Sequence, residues 1–172
     1  YANAVARDVD TAACEADGVP VLRRCSGGGT VVLGPGCLNY TLVLPLAANA
    51  ALGTVAGANT FILRRIAAAL AGVLGEPIGR LGDTDLVWRG RKFSGNAQRR
   101  QRTHLLFHGT FLLDFDLAQV ARYLPMPSRI PAYRETRPHE EFLTRLPLWP
   151  ETVKGALVKA WQAEASPIPW PE

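Results

Sequence analysis

Cysteine is scarce in this chain of 172 residues, which has three cysteines and one methionine. Cys14, Cys25 and Cys37 are odd in number and show no disulfide or metal-ligand spacing, which argues for a reducing cytoplasmic location over a disulfide framework. No apolar run approaches the length of a membrane span and no secretory signal heads the sequence, so no membrane partner is expected. With 48% hydrophobic residues, the chain can bury the core of one domain.

Acidic residues are fewer than basic ones, with 15 Asp and Glu against 19 Lys and Arg, a formal net charge of +4. Such an excess is compatible with nucleic-acid binding, but the basic residues concentrate in two segments without the aromatic interleaving of RNA-binding surfaces. An anionic cofactor and an acidic protein partner explain these segments more simply. We therefore expect no nucleic-acid partner.

The first basic segment joins two arginines to three glycines in Arg23-Arg24-Cys25-Ser26-Gly27-Gly28-Gly29-Thr30. It is neither a Walker loop, which needs Gly-Lys-Ser/Thr after the last glycine, nor a dinucleotide fingerprint, which needs a third glycine where Val32 stands. Alternation predicts strands over Val19 to Arg24 and Thr30 to Leu33, with the glycines between them. The glycines then form either a flexible hairpin turn without a ligand or a concavity whose backbone N–H groups and adjacent arginine bind an anion.

The second basic segment runs from Arg89 to Arg102 and has six basic residues and no acidic one. The sequence predicts a strand over Thr84 to Trp88, a tight turn at Arg89-Gly90 and a returning strand from Arg91 to Gln98. The returning strand is either a solvated basic edge or, because small polar residues follow Lys92, a strand pressed against a ligand. In the second case Lys92 would neutralise two anions brought together, without acting as a nucleophile.

The spacing of hydrophobic residues and the helix-capping residues predict further helices and strands. Asn59 and Thr60 can cap a helix that Gly75 and Pro77 stop, after a connection from Ala47 to Ala58. The apolar face of this helix is predicted to comprise Ile62, Ile66, Leu70, Val73 and Leu74. The remaining predictions are strands over Leu38 to Leu46 and Thr103 to Phe115, helices over Leu117 to Leu124, Pro138 to Leu146 and Glu151 to Ala163, and a frayed tail from Pro167 to Pro171.

Several motifs agree in order and spacing with one known family over roughly residues 1 to 146. They are Arg23 to Gly29, Gly36-Cys37-Leu38-Asn39-Tyr40, Asp85-Leu86, Lys92-Phe93-Ser94-Gly95-Asn96-Ala97 and His108-Gly109-Thr110-Phe111-Leu112. In these motifs the chain resembles the lipoate–protein ligase A group of the biotin/lipoate ligase superfamily.

The resemblance implies an α+β fold, a mixed sheet packed by helices, in one catalytic domain of the biotin/lipoate ligase type over residues 1–172. Because the sequence starts at Tyr1, we expect that an N-terminal strand–helix–strand unit of roughly forty to sixty residues is absent. We also expect that the C-terminal accessory domain of larger ligases is absent, which would allow an accessory domain on a separate chain.

The resemblance further implies a two-step reaction with ATP and Mg²⁺. Lipoate or octanoate would be converted to an acyl-adenylate, and the acyl group would pass to a lysine of an acceptor lipoyl domain, that of a 2-oxoacid dehydrogenase E2 or a glycine cleavage H protein. Lys92 is the implied catalytic residue, contacting the carboxylate and the α-phosphate. The residues implied to bind ATP or the adenylate are Arg24, Ser26, Gly27, Gly28, Gly29, Thr30, Val31, Val32, Gly95 and Asn96.

Further candidates have two interpretations each. Asp85 is a metal or adenine contact or a turn cap, and no carboxylate cluster looks like a dedicated metal site. Tyr133 and Arg137 belong either to a loop that orders over the adenylate or to a solvated charged loop. His108, on an apolar strand, is more simply a core histidine than a catalytic base. Arg23 is the other arginine that could point into the glycine loop.

Two other functions remain open. Octanoyl and lipoyl transferases of the same superfamily use a cysteine thioester and no ATP, and the nearest of them carry the cysteine shortly before the lysine motif. Residues Gly75 to Gly82 contain no cysteine, which favours the ligase. A thioester role for Cys25 is the alternative to a small buried thiol. The third hypothesis is a non-catalytic module that binds a lipoylated domain or a nucleotide.

Overall fold

A five-stranded antiparallel sheet is the centre of the computed structural model, which describes residues 5–127 and 130–165. The strands lie in the order β1-β5-β4-β3-β2. Their bounds are β1 Cys37–Pro45, β2 Gly79–Leu81, β3 Asp85–Trp88, β4 Arg91–Arg100 and β5 His104–Leu112. The expected α+β fold is confirmed, with an antiparallel sheet in place of the expected mixed one. The predicted hairpin of β3 and β4 is present, while the short strand β2 carries too little alternation to be predicted.

The sheet is packed by helices, which belong to two separate hydrophobic clusters. Their bounds are α1 Val5–Asp8, α2 Thr11–Ala16, α3 Val55–Leu74, α4 Ala118–Tyr123, α5 His139–Phe142 and α6 Pro150–Trp161, with 3₁₀ turns at Leu46–Ala48, Ala50–Gly53 and Ala132–Arg134. The long helix α3 buries Ile62, Ile66 and Leu70 completely, in one cluster with Phe93 and Phe107 of the sheet. The core therefore lies between α3 and one sheet face, which leaves the other face for a site.

The start of α3 differs from the prediction. Thr54 caps the helix, and its hydroxyl accepts a hydrogen bond from the Gly57 N–H at 3.0 Å. Asn59 is instead buried within the helix, where its side-chain oxygen accepts from Gln98 Nε2 at 2.5 Å. A long-range partner thus uses the side chain that was predicted to cap locally. The predicted stop is confirmed, because Gly75 ends the helix with φ 76°.

The expectation that no segment reaches membrane-span length is corrected by α3. This helix of 20 residues is long and apolar enough to cross a membrane by length and composition alone. Its packing against the sheet explains much of that composition, since Ile62, Leu63, Ile66 and Leu70 are fully buried. Val73, placed on the buried face by the sequence, is 44% exposed.

Two other predictions are wrong. The segments 19–24 and 30–33 form no β-strand, because an alternating pattern favours extended backbone but a ladder also needs a free partner edge. The helix predicted over 138–146 ends at Phe142, since the following residues join the sheet. The Thr144 N–H donates to the Lys92 carbonyl and the Leu146 N–H to the Leu112 carbonyl, both at 2.8 Å. The tail from 167 to 171 lies outside the described residues.

Candidate active site

A β-bulge in the β3–β4 hairpin decides where Lys92 points. Asp85 pairs with Gly95 and Leu86 with Ser94, but Val87 pairs with Lys92, so Phe93 is one extra residue on β4. Phe93 and Ser94 are both buried, at 0% and 1% exposure. Lys92 and Gly95, three positions apart, consequently share the sheet face opposite the core, which regular alternation would forbid.

Lys92 belongs to a chain of three side chains on this open face. Its Nζ lies 2.8 Å from Asp85 Oδ1, and the two side chains are 24% and 14% exposed. The other carboxylate oxygen, Oδ2, accepts a hydrogen bond from the Tyr133 hydroxyl at 2.6 Å. The lysine side chain crosses Gly95, where a Cβ atom would come within 3.1 Å of Nζ. Gly95 therefore provides the space in which the ammonium group lies.

The glycine loop is shaped by Arg24. The Arg24 guanidinium turns back into its own loop, and Nη2 donates to the carbonyls of Gly27 and Gly29, both at 2.7 Å. Gly28 has φ 102°, and a Cβ atom there would lie 2.8 Å from Arg24 Nη2. Burial lowers the pKa of Arg24 from its ordinary value. Two carbonyls of the loop thus point at this cation.

Two side chains of the open sheet face hold this loop. Arg99 Nη1 donates to the Cys25 carbonyl at 3.2 Å, and the Ser26 hydroxyl lies 2.5 Å from His108 Nε2. The register pairs His108 with Ala97, which lies two residues beyond Gly95 on the same face. The two motifs, some sixty positions apart in sequence, are therefore brought to one face. Sequence reasoning did not identify Arg99, since nothing local distinguishes it from its basic neighbours.

His108 and Cys25 differ from the simpler expectations. His108 is half-buried and bonded to the glycine loop, so it is not a core histidine. Its pKa is lowered by burial and, second, by the positive charge of Arg24. Cys25 is exposed, whereas a buried thiol was expected, because its carbonyl and not its side chain is held by the sheet. Cys14 is the buried cysteine.

Not every predicted binding residue lies with Lys92. Asn96 is on the helix-covered side, where its amide donates to the Thr84 carbonyl at 2.7 Å and its oxygen accepts from the Tyr40 hydroxyl at 2.6 Å. Gly109 makes room for it, since a Cβ atom there would be 1.8 Å from Asn96 Oδ1. The Asn96 amide thus makes its hydrogen bonds within the fold and does not face the side of the sheet on which Lys92 lies. Of the other residues predicted to bind, Arg23, Gly27, Gly28, Gly29, Thr30 and Val31 are exposed, and Val32 is half-buried.

The segment of Tyr133 and Arg137 is packed, so the solvated-loop alternative does not hold for it. Arg137 Nη2 donates to the Tyr133 carbonyl at 2.5 Å, and its Nη1 reaches the Gly90 carbonyl of the hairpin turn at 3.5 Å. Arg134 is only 3% exposed and stacks over the Phe142 ring at 4.7 Å. Arg134 belongs to the same sequence cluster as Tyr133 and Arg137, and its Nε donates to the Arg137 carbonyl at 3.0 Å.

The site is an open face more than a closed pocket. Two cavities, of about 490 and 730 Å³, lie elsewhere, the first beside Arg91 and Arg145 and the second along α3. Within residues 5–127 and 130–165, no three His, Cys, Asp or Glu side chains cluster as metal ligands. Asp85, the carboxylate bonded to Lys92, also binds Tyr133. These donors do not form a protein cage for a metal ion.

Solved structures define the class of this fold. A bipartite lipoate protein ligase from Thermoplasma acidophilum superposes with a TM-score of 0.77 at 20% identity, covering 94% of this chain and 64% of that chain. A lipoate-protein ligase A bound with ATP superposes with a TM-score of 0.69 at 21% identity, covering 94% and 65%. The chain therefore has the fold of lipoate ligase catalytic domains.

Sequence comparison names the family. The model of the lipoyl protein ligase A/B catalytic domain matches residues 1–153, and the chain belongs to this family. It is 34% identical over 117 residues to a probable lipoate-protein ligase A of Mycoplasma pneumoniae, covering 68% of this chain and 33% of that protein. It is 31% identical over 131 residues to an octanoyl-[GcvH]:protein N-octanoyltransferase of Kyrpidia tusciae, covering 64% and 43%. The chain thus spans less than half the length of these relatives.

Proposed function

We propose that this chain is the catalytic domain of an ATP-dependent lipoate–protein ligase. The observation that carries the proposal is the meeting of Lys92 and the Arg24 glycine loop on one open sheet face. A lysine on a strand and a glycine loop held on the same sheet face suit a reaction in which two anions must approach each other, since backbone N–H groups of such a loop can bind an anion. A relative of the same fold binds ATP and another binds lipoic acid, which supports both as substrates.

In the first step a carboxylate oxygen of lipoate or octanoate attacks the α-phosphorus of ATP. The bond from that phosphorus to the bridging oxygen breaks, which releases pyrophosphate and leaves the acyl-adenylate. The Lys92 ammonium lies between the two anions and reduces their repulsion, and the proton stays on Nζ throughout. For this, Lys92 must exchange its contact with Asp85 Oδ1 for contacts with the substrates.

In the second step the neutral ε-amine of an acceptor lysine attacks the acyl carbonyl of the adenylate. An amide bond forms, AMP leaves and the amine loses its proton. Related proteins act with an E2 lipoyl domain or on GcvH, so we propose lipoyl domains of these kinds as acceptors in the cytoplasm. Mg²⁺ would accompany the phosphates of ATP, where it would offset their charge.

The direct test is to incubate the full-length protein with ATP, lipoate or octanoate and an apo lipoyl domain, then weigh the domain by mass spectrometry. We expect a mass increase of one acyl group that requires ATP, with release of pyrophosphate. Binding of the domain without any mass change, under conditions where a known ligase modifies it, would instead identify a non-catalytic binding module.

The second candidate is an ATP-independent acyl transferase, which the similarity to the Kyrpidia tusciae octanoyltransferase favours. The exposed Cys25 in the glycine loop is its candidate nucleophile. Acyl transfer from an acylated carrier that proceeds without ATP, and that is lost in Cys25→Ser, would identify this function. Under the ligase proposal Cys25→Ser retains ATP-dependent transfer.

A further inference from the structure

We propose that Tyr133 is a positioning residue that acts on Lys92 through Asp85. By donating to one carboxylate oxygen, the tyrosine weakens the ion pair between Asp85 and Lys92, so that substrate anions can replace Asp85 as the partner of the lysine. The inference deepens the proposed function and rests on it, because it concerns the same anions that Lys92 is proposed to neutralise.

The hydroxyl of Tyr133 is fixed from several sides. The Tyr133 ring packs against the Phe142 ring with centroids 5.2 Å apart. On another side it lies against Gly82, where φ is 58° and a Cβ atom would be 3.3 Å from the ring. The Arg137 guanidinium donates to the Tyr133 carbonyl. A phenol held in this way makes a directed bond to Asp85.

The hydroxyl is a donor at neutral pH. Burial, and then the negative charge of Asp85 and the hydrogen bond to it, raise the pKa of Tyr133 from its ordinary value. The protonated phenol therefore donates to Asp85 Oδ2, and only Oδ1 contacts the lysine.

The consequence for Lys92 follows from competition. A carboxylate with both oxygens free would hold the ammonium group more strongly than one that already accepts a hydrogen bond from a phenol. Asp85 keeps Lys92 in place before substrate arrives, but the same charge competes with the incoming carboxylate and phosphate. The Tyr133 hydrogen bond therefore lowers the free energy that substrate binding must supply to separate Lys92 from Asp85.

The test compares Tyr133→Phe with Tyr123→Phe in the full-length protein. Tyr123 is a matched control, since its hydroxyl donates from helix α4 to a different carboxylate, Asp17 Oδ2, at 2.8 Å. Adenylate formation is followed by pyrophosphate release at varied lipoate and ATP. We expect Tyr133→Phe to raise KM for lipoate about tenfold with kcat nearly unchanged, the size of one hydrogen bond to a charged group. Loss of folded protein would instead lower kcat and leave KM unchanged.

A double-mutant cycle tests the route through Asp85. In an Asp85→Asn background the competing charge is gone, so adding Tyr133→Phe is expected to leave KM unchanged. The same rise of KM in both backgrounds, no rise in Tyr133→Phe, or an equal rise in Tyr123→Phe would overturn the inference.

Calorimetric titration of the same variants with lipoate and with ATP separates the inference from the proposed function, because the dissociation constants do not depend on turnover. A protein that binds both ligands, with weaker binding in Tyr133→Phe, but forms no adenylate would overturn the proposed function alone. A protein that binds neither would overturn both.

Discussion

The two motifs of the site are held in different ways. The hairpin motif is part of a ladder: Lys92 pairs with Val87, and its carbonyl accepts from the Thr144 N–H at 2.8 Å. The glycine motif belongs to no strand, and its shape depends on Arg24 inside it and on Arg99 and His108 beneath it. The comparison shows that backbone pairing places Lys92, whereas side chains shape the glycine loop.

This difference predicts two kinds of variant. Changes in the hairpin act through lost charge at a site that keeps its geometry, so their effects are on the chemical step. Changes in the loop act through altered shape, so their effects are on nucleotide binding. The following experiments are ordered from the largest expected effect to the smallest.

Lys92→Ala is expected to lower the rate of adenylate formation by about 10²- to 10³-fold, because one preorganised electrostatic contact is lost. Pyrophosphate release measures this loss. Lys154→Ala is the matched control, since Lys154 is also ion-paired to a carboxylate, Glu151 at 2.6 Å, but on the exposed side of α6. Retention of full activity in a folded Lys92→Ala protein would contradict the assigned role.

Arg24→Ala is expected to weaken ATP binding by about 10- to 100-fold, because the carbonyls of Gly27 and Gly29 lose a charged donor and the loop loses its shape. Calorimetric titration with ATP measures the affinity. Arg23→Ala removes the same charge from an exposed neighbour and is expected to cost less. Equal losses in both variants would show that charge alone matters, and not the internal bonds of Arg24.

Gly28→Ala is expected to weaken ATP binding by about tenfold, because a left-handed alanine is strained and its Cβ atom would displace Arg24. Gly18→Ala is the control, since Gly18 also has a positive φ, of 67°, but no atom within 4 Å of the added Cβ. Comparing the ATP affinities of the two variants isolates the effect on Arg24. Tight binding by Gly28→Ala would show that the loop adapts.

The smallest expected effect is that of pH on the stability of the folded protein. The folded-state pKa of His108 is lowered, so the unfolded chain takes up a proton first as the pH falls. The stabilisation by neutral His108 is therefore present above its ordinary pKa of 6.5 and is lost as the pH falls below it. The pKa of His139 is also lowered, mainly by burial, so neutral His139 stabilises the fold over the same pH range.

Unfolding temperatures between about pH 5 and 8 measure this dependence, which spans the ordinary histidine range. We expect His108→Gln to reduce the slope of unfolding temperature against pH in part, because the contribution of His139 to that slope remains. An unchanged slope in His108→Gln would contradict a neutral His108 at the loop.

The sequence predicted the hairpin better than the glycine loop, for a physical reason. Strand alternation and the Arg89-Gly90 turn are local signals, and both turn residues have positive φ, of 50° and 74°. The strands predicted beside the glycines required a partner edge, which no local signal could supply. The same limit explains the helix that ends at Phe142, because the following residues join the sheet instead.

By itself, the sequence determined the class of fold, the hairpin, most of the buried face of α3 and the family, because the hydrophobic period, the turn residues and the order of the motifs are local properties of the chain. Only the tertiary structure decided how the site is assembled. The bulge at Phe93 turns Lys92 onto the face of Gly95, and the contacts of Tyr133 with Asp85 and of Ser26 with His108 join residues 48 and 82 positions apart. Such contacts depend on strand register and packing, which form only when the whole chain has folded.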